Sequence, residues 1–481
     1  MACSLPIYFL VARDEPFGKI EIAVLQQTRV FRVLRTTPSA RRTSPLPRKD
    51  SVMTRLKTLA ATTALATLLA SQAQAAGYYL QEQSVRGAGR AYSGEVADQG
   101  VASLWWNPAA IARSPREVYG GLHAVFVDAT VENQGSTITY PGGVTIPVQG
   151  EDRAFNPIQD GVAPNFAIAT PIGERFALGL SVAAPFNFTT EYRRNAWARY
   201  DALTSRLTTA DIQATGAMQV TDWLDIGLGV SAQYTEAKLQ TAYPNLSPTL
   251  PDGISQLSGD GWDFGWSAGA QAHLGKVTLG ASYRSKMEHD LDGRVFVGGL
   301  VGPLAGANRD TGGSAAFTTP WIATLGARWQ ATDKLALNAQ IQRIGWSEFE
   351  DIEVRFEGGG GETLYQGYED TTSGGVGLDY AVNDRLTLRT GVQYDPTPTP
   401  DEARTARVPD GDRWLYSAGA TAQVTDSLKL DAALTYIDFA SSDVLHDTTF
   451  YEGTPAATTT RLRGEVQGQG YVMSVGLRKT F

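Results

Sequence analysis

"LDIGLGVSAQY", Leu224 to Tyr234, puts Leu224, Ile226, Leu228, Val230, Ala232 and Tyr234 on one face of an extended chain and Asp225, Gly227, Gly229, Ser231 and Gln233 on the other. Side chains alternate across a strand, so one face suits lipid and the other suits water or packed polar groups. The pattern returns in Leu386 to Tyr394, with Arg389 and Gln393 on the polar face. It returns again in Trp262 to Leu274, where Trp262, Phe264 and Trp266 gather toward one rim. Aromatic residues at strand ends fit the girdles found at membrane interfaces.

From about Arg116 onward, such segments are joined in two ways. Six joints are short: "PIGER" (171–175), "VTDWL" (220–224), "HLGKV" (273–277), "ATDKL" (331–335), "VNDRL" (382–386) and "VTDSL" (424–428). Their Asp, Asn and Gly residues supply tight-turn chemistry. Seven joints are long, polar and rich in Gly and Pro: 133–160, 187–204, 242–258, 289–310, 350–371, 396–411 and 440–467. Thirteen connections make fourteen strands. An even count with short turns on one side and long loops on the other predicts an all-β fold, a 14-stranded antiparallel transmembrane β-barrel over 116–481. A soluble all-β protein is the competing reading of the alternation alone. The last strand ends on Phe481, the terminal aromatic by which barrel assembly machinery is expected to recognise the chain.

The segment before the barrel supports export. "MTRLKTLAATTALATLLASQAQA", residues 53–75, has Arg55 and Lys57 ahead of an apolar run and closes on Ala73-Gln74-Ala75. That is the order of charge, apolar core and small residues in a secretory signal. Residues 1–52, Arg-rich and without periodicity, read as a mis-assigned upstream start or as a genuine extension. Removing 1–75 takes 11 of the 41 Lys and Arg and 4 of the 50 Asp and Glu, leaving 30 basic residues against 46 acidic. So acidic a chain is a poor partner for nucleic acid. Its one cysteine, Cys3, leaves with the excluded segment, so a disulfide framework or thiolate metal site is not expected. No stretch after residue 75 approaches the ~18 apolar residues of a spanning helix.

Residues 76–115 do not alternate. They carry Gly87-Ala88-Gly89, Ser93-Gly94 and the corner Trp105-Trp106-Asn107-Pro108. Forty residues are too few for a core of their own, so the segment is expected inside the barrel as a plug, or hatch. "SVRGAGRAYSGEVADQGVASLWWNPAAIA" resembles the amino-terminal hatch of the FadL/TodX family of outer-membrane transporters. "GDGWDFGWSAG" (259–269), "YRSKMEHDLDG" (283–293), "GWSEF" (345–349) and "GVQYDPTPTPDEARTARVPDGDRWLYSAG" (391–419) follow in the family's order.

The resemblance implies passage of long-chain fatty acids or of aromatic and alkane hydrocarbons by facilitated diffusion, with lateral release through an opening beside a kinked third strand. It also implies no energy-coupling partner. Pro185 in "VAAPFNF" is the candidate for that opening or for the strand's outer end. The resemblance places a surface-exposed hydrophobic groove on the loop bearing Leu246, Leu250, Ile254 and Leu257, which otherwise pack the loop onto the rim. Alternation puts Arg284, Arg328, Arg389 and Arg413 on the lumen face as candidates for a carboxylate head group, with Asp225, Asp263, Asp379 and Asp431 sharing that face as competing partners. "GETLYQGYEDTTS" has no Lys or Arg, which keeps uncharged substrates in play. Pro108 fixes its own φ and restricts Asn107. With Ala109, that corner reads either as a hatch hinge opening a path to the periplasm or as a static corner.

An enzyme is the reading from another class. Only His123, His273, His289 and His446 could serve as bases, and neither a Gly-x-Ser-x-Gly elbow nor a His-Glu-x-x-His helix accompanies them. No catalytic residue, metal or cofactor is therefore expected, the P-loop being absent as well. A structural or adhesive barrel needs no plug. The expected partners are a hydrophobic ligand and outer-membrane lipid, and the expected state is a monomer.

Overall fold

The computed structural model describes residues 77–481. The leader expected at 53–75, the extension before it and the first hatch residue lie outside the described residues.

The described residues form a closed antiparallel wall of fourteen staves. The first seven are Glu117–Asn133, Gly161–Ile172, Phe176–Ala183 continued by Phe188–Glu191, Thr204–Gln219, Leu224–Tyr243, Gly253–Leu274, and Val277–Arg284 continued by Met287–Gly298. The others are Arg309–Thr319 continued by Ile322–Gln330, Leu335–Ile344 continued by Asp351–Phe356, Gly361–Tyr365 continued by Thr371–Asn383, Leu386–Asp395, Arg413–Thr425, Leu428–Phe450 and Thr458–Thr480. First and last staves pair from Glu117↔Thr480 to Asn133↔Gly464. Closure leaves neither terminal stave as a free sheet edge.

All six short joints fall at one end of the wall, each between consecutive staves. Alternation holds as well. Leu228 and Val230 are 66% and 65% exposed on the outer face, while Asp225 and Gln233 are buried inside. Several staves outrun the loops expected around them. The connection expected at 440–467 spans only 451–457, that at 289–310 only 299–308, and that at 242–258 only 244–252. Beyond the bilayer the outer face meets water, so apolar alternation ends where hydrogen-bonded pairing does not. The exposed pair Arg463–Asp447, at 2.6 Å, lies on such a stretch.

Gly77 to Pro115 fills the lumen. Its regular pieces are one helical turn, Val85–Ala88, and the 3-10 turns Glu95–Ala97, Val101–Ser103 and Pro108–Ile111, buried throughout. Ser84 caps the first, its Oγ accepting from the Gly87 N–H at 3.1 Å. Asn107 caps the last, its Oδ1 accepting from the Ala109 N–H at 2.9 Å, with Pro108 at the first helical position. Both caps satisfy amide donors that a buried turn otherwise strands.

Candidate transport path

The hatch touches the wall through glycine. A Cβ at Gly227 would lie 2.3 Å from the Pro108 carbonyl carbon, at Gly280 2.2 Å from the Val96 oxygen, at Gly391 2.1 Å from the Arg90 oxygen and at Gly419 2.6 Å from Gly89 Cα. These glycines stand on the fifth, seventh, eleventh and twelfth staves, so the hatch backbone is seated around much of the wall. Charge locks the same seat. Arg90, fully buried, pairs with Glu95, with Asp98 at 2.6 Å and with Asp379 at 3.3 Å. Arg328 also pairs with Asp379, and Arg389 does so at 2.7 Å.

Above this seat, Gly77 to Gln83 runs as a strap along the third stave. That stave is interrupted between Ala183 and Phe188, around Pro185. Its ladder with the second stave ends at Phe166↔Val182, and contact resumes only at the bridge Ile158↔Thr190. The wall is thus unpaired beside Pro164 and Pro185, two residues without an N–H to offer a ladder. The strap covers the interruption from inside. The Leu80 N–H donates to the Pro185 oxygen at 2.8 Å, the Asn187 N–H donates to the Tyr78 oxygen at 3.0 Å, and Tyr79 bridges Phe186. Further bonds tie the strap down: the Gly77 N–H to Asp410 Oδ2 at 2.9 Å, Gln81 Nε2 to Asp395 Oδ2 at 3.0 Å and Gln83 Nε2 to the Ala184 oxygen at 3.2 Å. Burial raises the Asp410 carboxyl above its ordinary range.

Beside the strap lies an apolar cavity bordered by Tyr78, Phe188, Leu257, Leu291, Phe317 and Phe349 among others. Such a lining suits a hydrophobic ligand. Arg206, Lys238 and Arg407 also border it. Arg206 and Lys238 are directly opposed on neighbouring staves, an arrangement of like charges that destabilises a sheet unless an anion offsets it. Arg206 Nε has no hydrogen-bond partner among the described residues. Arg407 pairs with Asp201 at 2.9 Å.

A family model described as outer membrane protein transport protein (OMPP1/FadL/TodX) matches residues 66–481. The chain belongs to this family. A relative named long-chain fatty acid transport protein, from Escherichia coli O6:H1, is 29% identical over 421 residues, covering 79% of this chain and 92% of its own. The crystal structure of a Pseudomonas aeruginosa FadL homologue superposes with a TM-score of 0.74 at 24% identity, over 84% of this chain and 100% of that one. The Ralstonia pickettii toluene transporter TbuX superposes at 0.59 with 20% identity, over 83% and 98%. This FadL/TodX chain is accordingly an outer-membrane transporter of hydrophobic compounds in the Gram-negative envelope, and not an enzyme.

In this FadL/TodX barrel the residues singled out from sequence fall in different places. Arg328 and Arg389 belong to the hatch–wall ion pairs, and Arg413 pairs with Asp395 at 2.5 Å. Arg284 stands apart, its closest carboxylate being Asp211 at 3.9 Å. The four groove candidates are not brought together. Leu246 packs on the loop cluster of Val297, Leu300 and Leu304, Leu250 is 40% exposed, and Ile254 and Leu257 belong to the sixth stave, with Leu257 on the cavity. Asn107 Nδ2 donates to the Val96 oxygen at 2.7 Å and to the Ala270 oxygen at 3.1 Å. Sequence reasoning did not single out the strap, Asp410, Pro164 or the Arg206–Lys238 pair. Only the last had a readable signal, two cations facing one another across a strand pair.

Proposed function

We propose that this barrel carries long-chain fatty acids by facilitated diffusion and releases them sideways into the membrane between its second and third staves. The observation that carries the reading is the strap, held by the antiparallel bridge Tyr79↔Phe186 over the gap beside Pro164 and Pro185 and touching the apolar cavity through Tyr78. Apolar surface favours such a lining by about 25 cal/mol per Å². Withdrawal of Tyr78 to Leu80 from the Pro185 segment joins cavity to gap. The loop bearing Leu246 and Leu250 is where a ligand is first captured. Asn107, Pro108 and Ala109 act as the corner that keeps the hatch in place, so the route passes beside the hatch.

The basic border of Arg206 and Lys238 favours a carboxylate over a neutral hydrocarbon. Aromatic or alkane hydrocarbons are the second reading, supported by the fold shared with a toluene transporter. Uptake of labelled oleate and of toluene by a deletion strain, with and without this chain restored, tests both. Restored oleate uptake supports the first reading, and restored toluene uptake alone supports the second. Restoration of neither contradicts transport of these compounds.

A further inference from the structure

The connection 396–412, between the eleventh and twelfth staves, reaches across the outer mouth to Asp201, in the connection between the third and fourth. The twelfth to fourteenth and first to third staves separate the two on the shorter way round. Asp201 is fully buried, its Oδ2 accepting from the Ala406 N–H at 2.6 Å and its Oδ1 from Arg407 Nε at 2.9 Å. Bonds to a carboxylate are the strong ones. Arg407 and Val408, next to this latch, border the apolar cavity.

The connection is braced to move as one piece. Pro396, Pro398 and Pro400 stiffen its outgoing limb, since each fixes its own φ and restricts the residue before it. Arg404, 2% exposed, ties that limb to the tip, Nη2 donating to the Thr399 oxygen at 2.6 Å and Nη1 to Asp401 Oδ1 at 2.5 Å. Thr397 Oγ1 ties it to the returning limb by donating to Asp410 Oδ2 at 2.6 Å. That same oxygen accepts the Gly77 N–H, where the strap begins. Pro398 stands against the same residue, for a Cβ on Gly77 would lie 3.1 Å from its Cγ. One braced loop thus crosses the mouth, roofs the cavity and holds the head of the strap.

We propose that the connection 396–412 is a coupled gate: release of its latch on Asp201 opens the cavity to the outside and, through Asp410, loosens the strap over the wall gap. The proposal rests on the lateral-release reading above and adds an order of events to it. Ser442 Oγ donates to the Asp410 oxygen at 2.7 Å and Arg404 Nη1 to the Asp443 oxygen at 3.1 Å, which fixes the base of the loop on the thirteenth stave. A swing of the tip about that base turns the Asp410 side chain, and its Oδ2 leaves Gly77. The strap then keeps its bonds to Pro185 and Asn187 but loses its outermost tie. Entry therefore weakens the hold on the exit without opening it alone.

The test is amide hydrogen exchange of the purified, folded barrel, read by fragment mass spectrometry. Asp201→Ala removes both latch bonds, and those bonds run to Ala406 and Arg407, not to the strap. Exchange is expected to rise at least about fivefold in 404–408 and also in the strap amides 78–83, with the wall amides of Leu224 to Tyr234 unchanged. Arg407→Met, which removes one latch bond and keeps the other, serves if Asp201→Ala does not fold, with a rise of at least about twofold expected in the same two segments. A rise confined to 404–408 overturns the coupling. No rise in either segment makes the loop a static cap, and an equal rise in the wall marks general loosening; both overturn the gate. Undiminished oleate uptake with the strap fixed at the gap contradicts lateral release itself, a different result.

Discussion

Gly269 lies so close to Asn107 that a Cβ on it would fall 1.9 Å from the asparagine Oδ1. The same side chain donates to the neighbouring Ala270 oxygen at 3.1 Å. Seat and occupant thus fit at one point of the sixth stave, and that fit can be disturbed from either side. Gly269→Val is expected to lower the unfolding midpoint of the purified barrel, since overpacking a filled site costs about 1–3 kcal/mol. Gly216, which has open space where a Cβ would stand, is the control, and Gly216→Ala is expected to cost under about 1 kcal/mol.

Asn107→Ala removes a cap whose loss costs about 0.5–2 kcal/mol and takes one of two donors from the Val96 oxygen, leaving Gln271 Nε2 at 3.0 Å. The expected outcome is a lower unfolding midpoint with oleate uptake unchanged per folded barrel. Loss of uptake at normal surface abundance and unchanged stability would instead make this corner a moving hinge.

Arg90 serves three carboxylates in the hatch–wall seat. Arg90→Met leaves Glu95, Asp98 and Asp379 short of charge in a buried site, and breaking a buried pair costs about 3–5 kcal/mol. Urea unfolding in detergent is expected to show this variant as less stable than Gly269→Val.

Asp410 gives the strap a dependence on pH. Burial raises its carboxyl, so ionisation there opposes the folded arrangement. That penalty is absent below the unfolded carboxyl pKa of about 3.9 and complete above the raised folded value. Protection of the Gly77 to Leu80 amides from hydrogen exchange is therefore expected to increase as pH falls through that value. Exchange is corrected for its intrinsic pH dependence. Asp410→Asn is expected to flatten the profile.

The wall was legible because lipid imposes its own pattern: Leu228, Val230 and Phe264 face outward on a strict period of two, and Asp, Asn or Gly marks each short turn. The stave ends were not, because above the membrane a pair such as Arg463–Asp447 keeps the ladder without apolar alternation. The hatch announced itself by lacking a period, and its wall contacts were written in glycines whose meaning depends on what lies opposite. Gly391 and Arg90 are far apart in the chain and meet only in the fold. Alternation says nothing of partners, and Asp379 holds both Arg328 and Arg389. The strap carries neither alternation nor helical period, since Tyr79 and Leu80 are fixed by a stave they join only in three dimensions.

The central claim, that ligand leaves through the gap the strap covers, is tested most directly by fixing the strap there. Tyr79 and Phe186 are bridge partners, a spacing suited to a disulfide, and Cys3 is the sole native cysteine of the chain. In a Tyr79→Cys, Phe186→Cys double variant, oxidation is expected to reduce oleate uptake to the level of the deletion strain, and reduction to restore it to the level of the unoxidised variant. Undiminished uptake with the crosslink fully formed would contradict the account.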